Sequence, residues 1–172
     1  MKNYTKAVLY AYPLMKTIGE DYAEHIKNRA VLSYRSDRTA EEIALYLAEE
    51  ILHKERLQWL KACVERVLGR LSAVERLLVE IRYFGRERKI KKAPVKEENK
   101  RTGFGEWSKS KYFRRLRRLS EKAGAMLEAE GLTEERFEAE FAQDDFFKRI
   151  YDFVREGRDD AISQSERRWL GI

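Results

Sequence analysis

Apolar residues recur along most of this chain at helical rather than strand spacing. From Leu14, the residues Ile18, Tyr22 and Ile26 follow at every fourth position and predict a helix running to about Ala30. Residues 4–12 form a shorter helical segment ahead of it. Pro13 drives its predecessor away from α geometry, which predicts a stop or kink between the two, and it can itself open the second helix. After a polar link over residues 32–38, Thr39 and Glu42 make a capping-box pair that opens a long central helix. Ile43, Leu47 and Ile51 mark its first half. Leu57, Leu60, Val64, Val67 and Leu71 mark its second half, at alternating intervals of three and four, the spacing of a helix that packs lengthwise on another. The expected neighbour is the Ile18–Ile26 stripe, with pairing across a two-fold axis as the alternative.

Gly69 and Ser72 are expected to break the long helix. Ser72 and Glu75 repeat the capping-box pattern and open a helix over 73–84, with Leu77, Leu78, Ile81 and Phe84 facing inward and Gly85 as its stop. Residues 86–106 have no period, contain Pro94, Gly103 and Gly105, and carry eight Lys/Arg, so they read as an exposed, basic loop. Ser108 restarts order. In the helix over 109–128, Tyr112, Leu116, Leu119, Ala123 and Leu127 share one stripe, while Lys111, Arg114, Arg115, Arg117, Arg118 and Lys122 lie on its flanks and opposite side. Gly131 ends that helix. Thr133 opens a short one through Phe137 and Phe141, and Asp144 caps another through Phe146, Phe147, Ile150, Tyr151 and Val154, stopped by Gly157. Residues 158–172 read as a polar, frayed end with Trp169-Leu170 available to dock. The fold class is all-α, with three segments (1–70, 71–131 and 132–172) in one compact unit.

Composition agrees. The chain has 172 residues, one domain's worth, with 43% apolar residues and only 2 Pro and 9 Gly. A mean hydropathy of −0.69 makes it wet, yet the apolar share suffices for a core. A single Cys excludes a disulfide framework and a multi-thiolate zinc site and fits a reducing cytoplasm. No apolar run reaches membrane-spanning length, and the first residues do not read as a signal peptide. The expected setting is cytoplasmic.

Charge changes the picture more. Net charge is +6, but residues 1–85 hold 14 Lys/Arg against 12 Asp/Glu, residues 86–118 hold 14 against 4, and residues 119–172 hold 8 against 14. A basic block followed by an acidic end is a local field that attracts and steers polyanions.

Catalytic chemistry is hard to place. His25, His53 and Cys63 fall on different predicted faces or helices, with no nucleophile–base spacing among them. Glu50-x-x-His53 has the spacing of a di-iron helix motif, but such sites need two copies and two further glutamates. Gly103-Phe104-Gly105 lacks the strand and third glycine of a dinucleotide loop. The expectation is therefore no enzyme, no catalytic residue, no metal and no cofactor.

A DNA-reading helix needs an apolar stripe that seats it, residues near its N-terminus that reach base edges, and Lys/Arg flanks for phosphates. Residues 107–119 supply all three: Ser108 and Ser110 for phosphate at the positive helix end, Lys109 and Lys111 for bases, and Arg114, Arg115, Arg117 and Arg118 for the backbone.

Here the sequence resembles a known module. The run Leu71-Ser72-Ala73-Val74-Glu75-Arg76 through Arg82-Tyr83-Phe84 is similar to the opening of the region-four helix-turn-helix of bacterial RNA polymerase sigma factors. Residues 105–119, with Gly105, Ser108, Ser110 and an Arg-rich middle, are similar to its recognition helix. Sigma-like phage and mobile-element regulators of the ArpU type share that module. The likeness covers residues 71–127, interrupted by the basic loop, and residues 1–70 lack a promoter-melting pattern. It implies a sequence-specific DNA-binding transcriptional regulator whose partners are duplex DNA and RNA polymerase, with no membrane. A helical protein–protein adaptor and an RNA binder remain the alternatives, and monomer or homodimer is open.

Overall fold

The computed structural model describes residues 2–32, 39–84 and 109–157, with side chains at 29–32 and 109 left aside. Of the link expected over 32–38, Leu32 still belongs to α1; the rest of it, the stop at Gly85, the basic loop 86–106, Ser108 and the end 158–172 lie outside the described residues. Within them the chain is all-α. The elements are α1 (Asn3–Leu32), α2 (Ala40–Arg70), α3 (Ala73–Tyr83), α4 (Lys109–Ala129), α5 (Glu134–Glu140) and α6 (Asp145–Arg155).

Of the stop or kink expected at Pro13, the stop fails. Pro13 lies inside α1, which runs unbroken from Asn3 to Leu32 instead of splitting in two. Proline removes one i→i−4 hydrogen bond, at roughly 3 kcal/mol in a helix interior. Here the ring sits on the exposed side, while Ala7, Val8, Leu9, Tyr10, Ala11 and Met15 around it are buried. Burial of those side chains outweighs one lost bond, since a fully buried large apolar side chain contributes about 1.5–3 kcal/mol.

The helix boundaries follow the capping chemistry closely. Thr39 Oγ1 accepts the Glu42 N–H at 3.2 Å while the Glu42 carboxylate accepts the Thr39 N–H at 2.9 Å. Ser72 and Glu75 do the same at the start of α3, at 3.3 and 2.9 Å. Gly69 does not break α2, which continues to Arg70 and ends at Leu71. At the end of α4 the Gly131 N–H reaches the Glu128 carbonyl and the Leu132 N–H reaches the Leu127 carbonyl, with Gly131 at φ +90°. That is a Schellman stop, with the fully buried Leu127 and Leu132 at the two positions where the motif carries its apolar pair. Thr133 and Asp144 cap α5 and α6, as their positions predict.

α1 and α2 run antiparallel. His25 meets Tyr46, Tyr22 stacks on His53, and Gly19 sits against Leu57, so numbers fall on one helix as they rise on the other. Continuing that register puts Leu60–Leu71 beside the Tyr4–Met15 half of α1, where Tyr12 feels the charge of Glu65. The heptad-spaced Leu57, Leu60, Val64, Val67 and Leu71 are all buried inside the chain. Their main neighbours are the buried Tyr4–Met15 residues rather than the Ile18–Ile26 stripe, whose members are only half-buried. In α3, Leu77 and Leu78 face inward as expected, but Val79 and Tyr83 are buried and Ile81 and Phe84 only partly so.

The acidic C-terminal helices belong to the same core. Phe137 lies among Tyr4, Phe141, Phe147 and Tyr151 at centroid distances of 5.2–6.0 Å. Arg136 covers the Trp59 ring at 3.7 Å, fastening α5 to α2.

Candidate nucleic-acid interface

α4 is seated by the stripe its sequence predicts. Leu116, Leu119, Ala123 and Leu127 are buried and Tyr112 is partly so. Ser120, one position beside the stripe, is also buried, and its hydroxyl lies 3.2 Å from the Tyr83 hydroxyl of α3. Two residues on, the Lys122 ammonium reaches both oxygens of Glu75 in the first turn of α3, at 2.8 and 2.9 Å. Two contacts, one buried and one at the surface, thus hold α3 against α4. Burial pushes the Glu75 carboxyl up, but the Lys122 ammonium and the Ser72 cap outweigh it and hold its pKa below the ordinary value.

Further along α4, Glu128 takes the Lys2 ammonium at 2.8 Å and the Tyr4 hydroxyl at 3.1 Å, and just past the helix end Glu130 pairs with Arg66 and Arg70. Hydrogen bonding to Lys2 holds Glu128 below the ordinary carboxylate range, and hydrogen bonding to Arg66 does the same for Glu130. Of the acidic residues on this helix, only Glu121 lies among the arginines.

The opposite side of α4 faces outward. At 100° per residue, Arg114 and Arg118 lie farthest from the buried stripe, flanked by Arg117 on one side and Lys111 and Arg115 on the other. All five are exposed, as is Ser110. Arg114 and Arg118 form no ion pair among the described residues, whereas Arg117 pairs with Glu121 at 3.1 Å. With the Arg117 side chain 82% exposed, that pair is an ordinary i,i+4 surface contact of small worth.

Of the eight residues the sequence singles out, Ser110, Lys111, Arg114, Arg115, Arg117 and Arg118 lie on α4. Lys109 begins the helix, with its side chain outside the described atoms, and Ser108 precedes the described segment. Lys122, read as part of the basic flank, is committed to Glu75. Sequence reasoning passed over Phe113, which stands 46% exposed beside Arg117 and meets the Tyr112 ring edge-on at 5.3 Å. Its signal was its place one position off the apolar stripe.

Residues considered for catalysis lie apart. Cys63 is buried in the core, where desolvation pushes its thiol up, while His25 and His53 sit along the α1–α2 pair. Among the described residues no group of three or more His, Cys, Asp or Glu is arranged to hold a metal ion. No described helix is long and apolar enough to cross a membrane. No protein-family model, curated protein or solved structure matches this chain.

Proposed function

We propose that this chain is a sigma-like, sequence-specific DNA-binding transcriptional regulator that docks on duplex DNA through the outward face of α4. The observation that carries the reading is the two-sidedness of that helix. Its apolar stripe is sunk in the core, and from Lys109 to Arg118 it holds six Lys/Arg and no Asp or Glu. A helix seated on one side and cationic on the other presents what a groove and its phosphates require. α3 braces α4 from its inner side, through Glu75–Lys122 and Tyr83–Ser120, while residues 86–104, which stand where the sigma-like motif has the first helix of its turn, lie outside the described residues. RNA polymerase is the second partner this reading implies.

Each phosphate contact releases about one condensed counterion, so salt dependence counts the contacts. Replacing Arg114 and Arg118 with Ala is expected to lower the slope of log affinity against log salt by about 1–2 and to weaken all duplexes alike. Replacing Lys109 or Lys111 is expected to relax sequence preference instead. Titrations of duplex DNA at several salt concentrations decide it. An unchanged slope in a folded Arg114→Ala/Arg118→Ala protein removes α4 as the reader.

The adaptor reading draws on a different observation. Leu45, Ile51 and Leu52 stand 67%, 43% and 49% exposed on the first half of α2. A protein partner retained at high salt, with no duplex binding, favours it.

A further inference from the structure

Away from the basic face, α1, α2 and the start of α6 border an open surface cleft of about 400 Å³, within the size range of small-molecule sites. Its lining combines two chemistries. Tyr22 and Phe146, with Ile18, supply apolar and aromatic surface, and Asp21, Glu50 and Asp144 supply three carboxylates without a Lys or Arg among them. Asp21 and Glu50 form no ion pair among the described residues.

The walls are held in place. Asp144 spends one oxygen on the Phe146 N–H at 2.9 Å, capping α6, and the other on the Tyr22 hydroxyl at 3.2 Å. The Tyr22 ring is backed by His53, and His25 is tied to the Tyr46 hydroxyl at 2.8 Å. Burial, then the charges of Asp144 and Glu50, push the Tyr22 hydroxyl up to about 12, in keeping with a negative potential inside the cleft.

We propose that this cleft binds an organic cation: an amidinium or guanidinium group carried on an apolar ring or stem. The carboxylates favour positive charge, and a guanidinium-like fork donates to carboxylates from its edge while its face lies on an aromatic ring. A bare metal ion suits the site poorly, because no three ligating groups converge among the described residues and apolar walls offer a hydrated ion nothing. A free small molecule and an arginine side chain on a peptide share this chemistry.

The test uses the full chain with benzamidine, its neutral isostere benzamide, and Nα-acetyl-arginine amide as the peptide-like probe. Calorimetry measures affinity, and the NMR signals of Tyr22 and Phe146 locate the site. Benzamidine is expected to shift those signals and to bind at least about tenfold more tightly than benzamide, a difference of about 1.4 kcal/mol. Asp21→Asn with Glu50→Gln is expected to remove that preference while circular dichroism stays unchanged. Should the double variant fail to fold, Glu50→Gln alone carries the test. Binding of the arginine probe but not benzamidine at these residues assigns the cleft to a peptide source. Absence of shifts with either cation at millimolar concentration, equal binding of benzamide, or full affinity in the charge-removed variant overturns the proposal. None of these outcomes bears on DNA binding by α4.

Discussion

The Glu75 carboxylate serves two helices at once: it accepts the Ser72 N–H at 2.9 Å to close the α3 capping box, and it receives the Lys122 ammonium of α4 at 2.8 Å. The start of one helix is thereby coupled to the flank of the other. Removing the carboxylate breaks both interactions, whereas removing the amine breaks one.

Glu75→Ala leaves the Ser72 Oγ cap in place and removes the return half of the box, at an expected cost of about 0.3–1.5 kcal/mol, or about 1–6 °C in Tm for a chain of this size. Lys122→Met is expected to cost less, since a partly exposed ion pair contributes about 0–1 kcal/mol. The pH dependence has a definite sign. A carboxyl whose folded pKa is lowered contributes stability above its unfolded pKa and loses it as pH falls through the folded value. Thermal melts at neutral and acid pH should therefore show Glu75→Ala and the parent converging in acid. A gap that widens in acid contradicts the assignment.

Two tyrosines extend the pH argument to the alkaline side. Burial, with Glu128 beside Tyr4 and Asp144 beside Tyr22, pushes both hydroxyls up to about 12, above the usual value of about 10. A raised folded pKa contributes stability that is complete below the unfolded value and lost as pH rises through the folded one. Absorbance titration should show a late-ionising class that shrinks in Tyr22→Phe, with alkaline unfolding beginning between pH 10 and about 12. Ordinary ionisation of every tyrosine in the folded protein would refute it.

How much of this was legible beforehand depended on whether the information was local. Capping boxes at Thr39 and Ser72, the stops at Gly131 and Gly157, and the stripe from Leu116 to Leu127 are set by residues a turn or two apart, and the structure follows them. Pro13 misled because its local signal is strong, yet the outcome was decided by burial of Tyr10 and Met15 among distant helices. The partner of the heptad stripe was misplaced for a related reason: spacing says that a helix is packed, while register against α1 is fixed by pairs such as Gly19–Leu57. The aromatic–acidic cleft was invisible because its residues come from three helices, the last of them more than a hundred positions from the first, as in the Tyr22–Asp144 bond. Of the proposed interface, the cationic face was readable from periodicity, but Lys122's commitment to Glu75 was not.

The acidic C-terminal helices carry core, so they cannot be treated as a removable tail. Phe137 is fully buried among four other rings. Phe137→Ala is expected to cost about 3–5 kcal/mol, a large part of the stability of a typical domain. Deleting residues 133–172 should therefore lose cooperative unfolding altogether. Differential scanning calorimetry checks both, and a truncated chain with a parent-like transition would show that α5 and α6 are dispensable.

Arg136 over Trp59 offers a narrower test. Its guanidinium covers the ring at 3.7 Å, and its Nε donates to Glu140 at 3.0 Å. A half-exposed cation–π contact contributes about 0.5–2 kcal/mol. Arg136→Ala should lower Tm by a few degrees, and Arg136→Lys should restore little, because an ammonium lacks the flat face that stacks. Full rescue by lysine would reassign the stabilisation to charge alone.

Glycine positions allow one substitution to be predicted with opposite signs. In the interior of α4, Gly124 faces α1, and a Cβ there would meet Thr5 Oγ1 at 3.4 Å and Cγ2 at 3.8 Å, ordinary contact distances. Gly69 in α2 would meet nothing within 4 Å. Replacing a helix-interior glycine with alanine removes backbone freedom from the unfolded chain and is favourable by about 0.5–1 kcal/mol where no clash results. Gly124→Ala and Gly69→Ala should each raise Tm by about 1–4 °C. Gly131 sits at φ +90°, where a Cβ crowds the carbonyl, so Gly131→Ala should cost about 1–2 kcal/mol and lower Tm by about 2–8 °C. A larger side chain at Gly124 should reverse the gain: Gly124→Val presses a branched methyl on Thr5, and overpacking of a tight crossing costs about 1–3 kcal/mol. Thermal melts of the four variants separate the causes. If Gly124→Ala destabilises while Gly69→Ala stabilises, the α1–α4 crossing is closer than ordinary contact, and Thr5 is what the glycine makes room for.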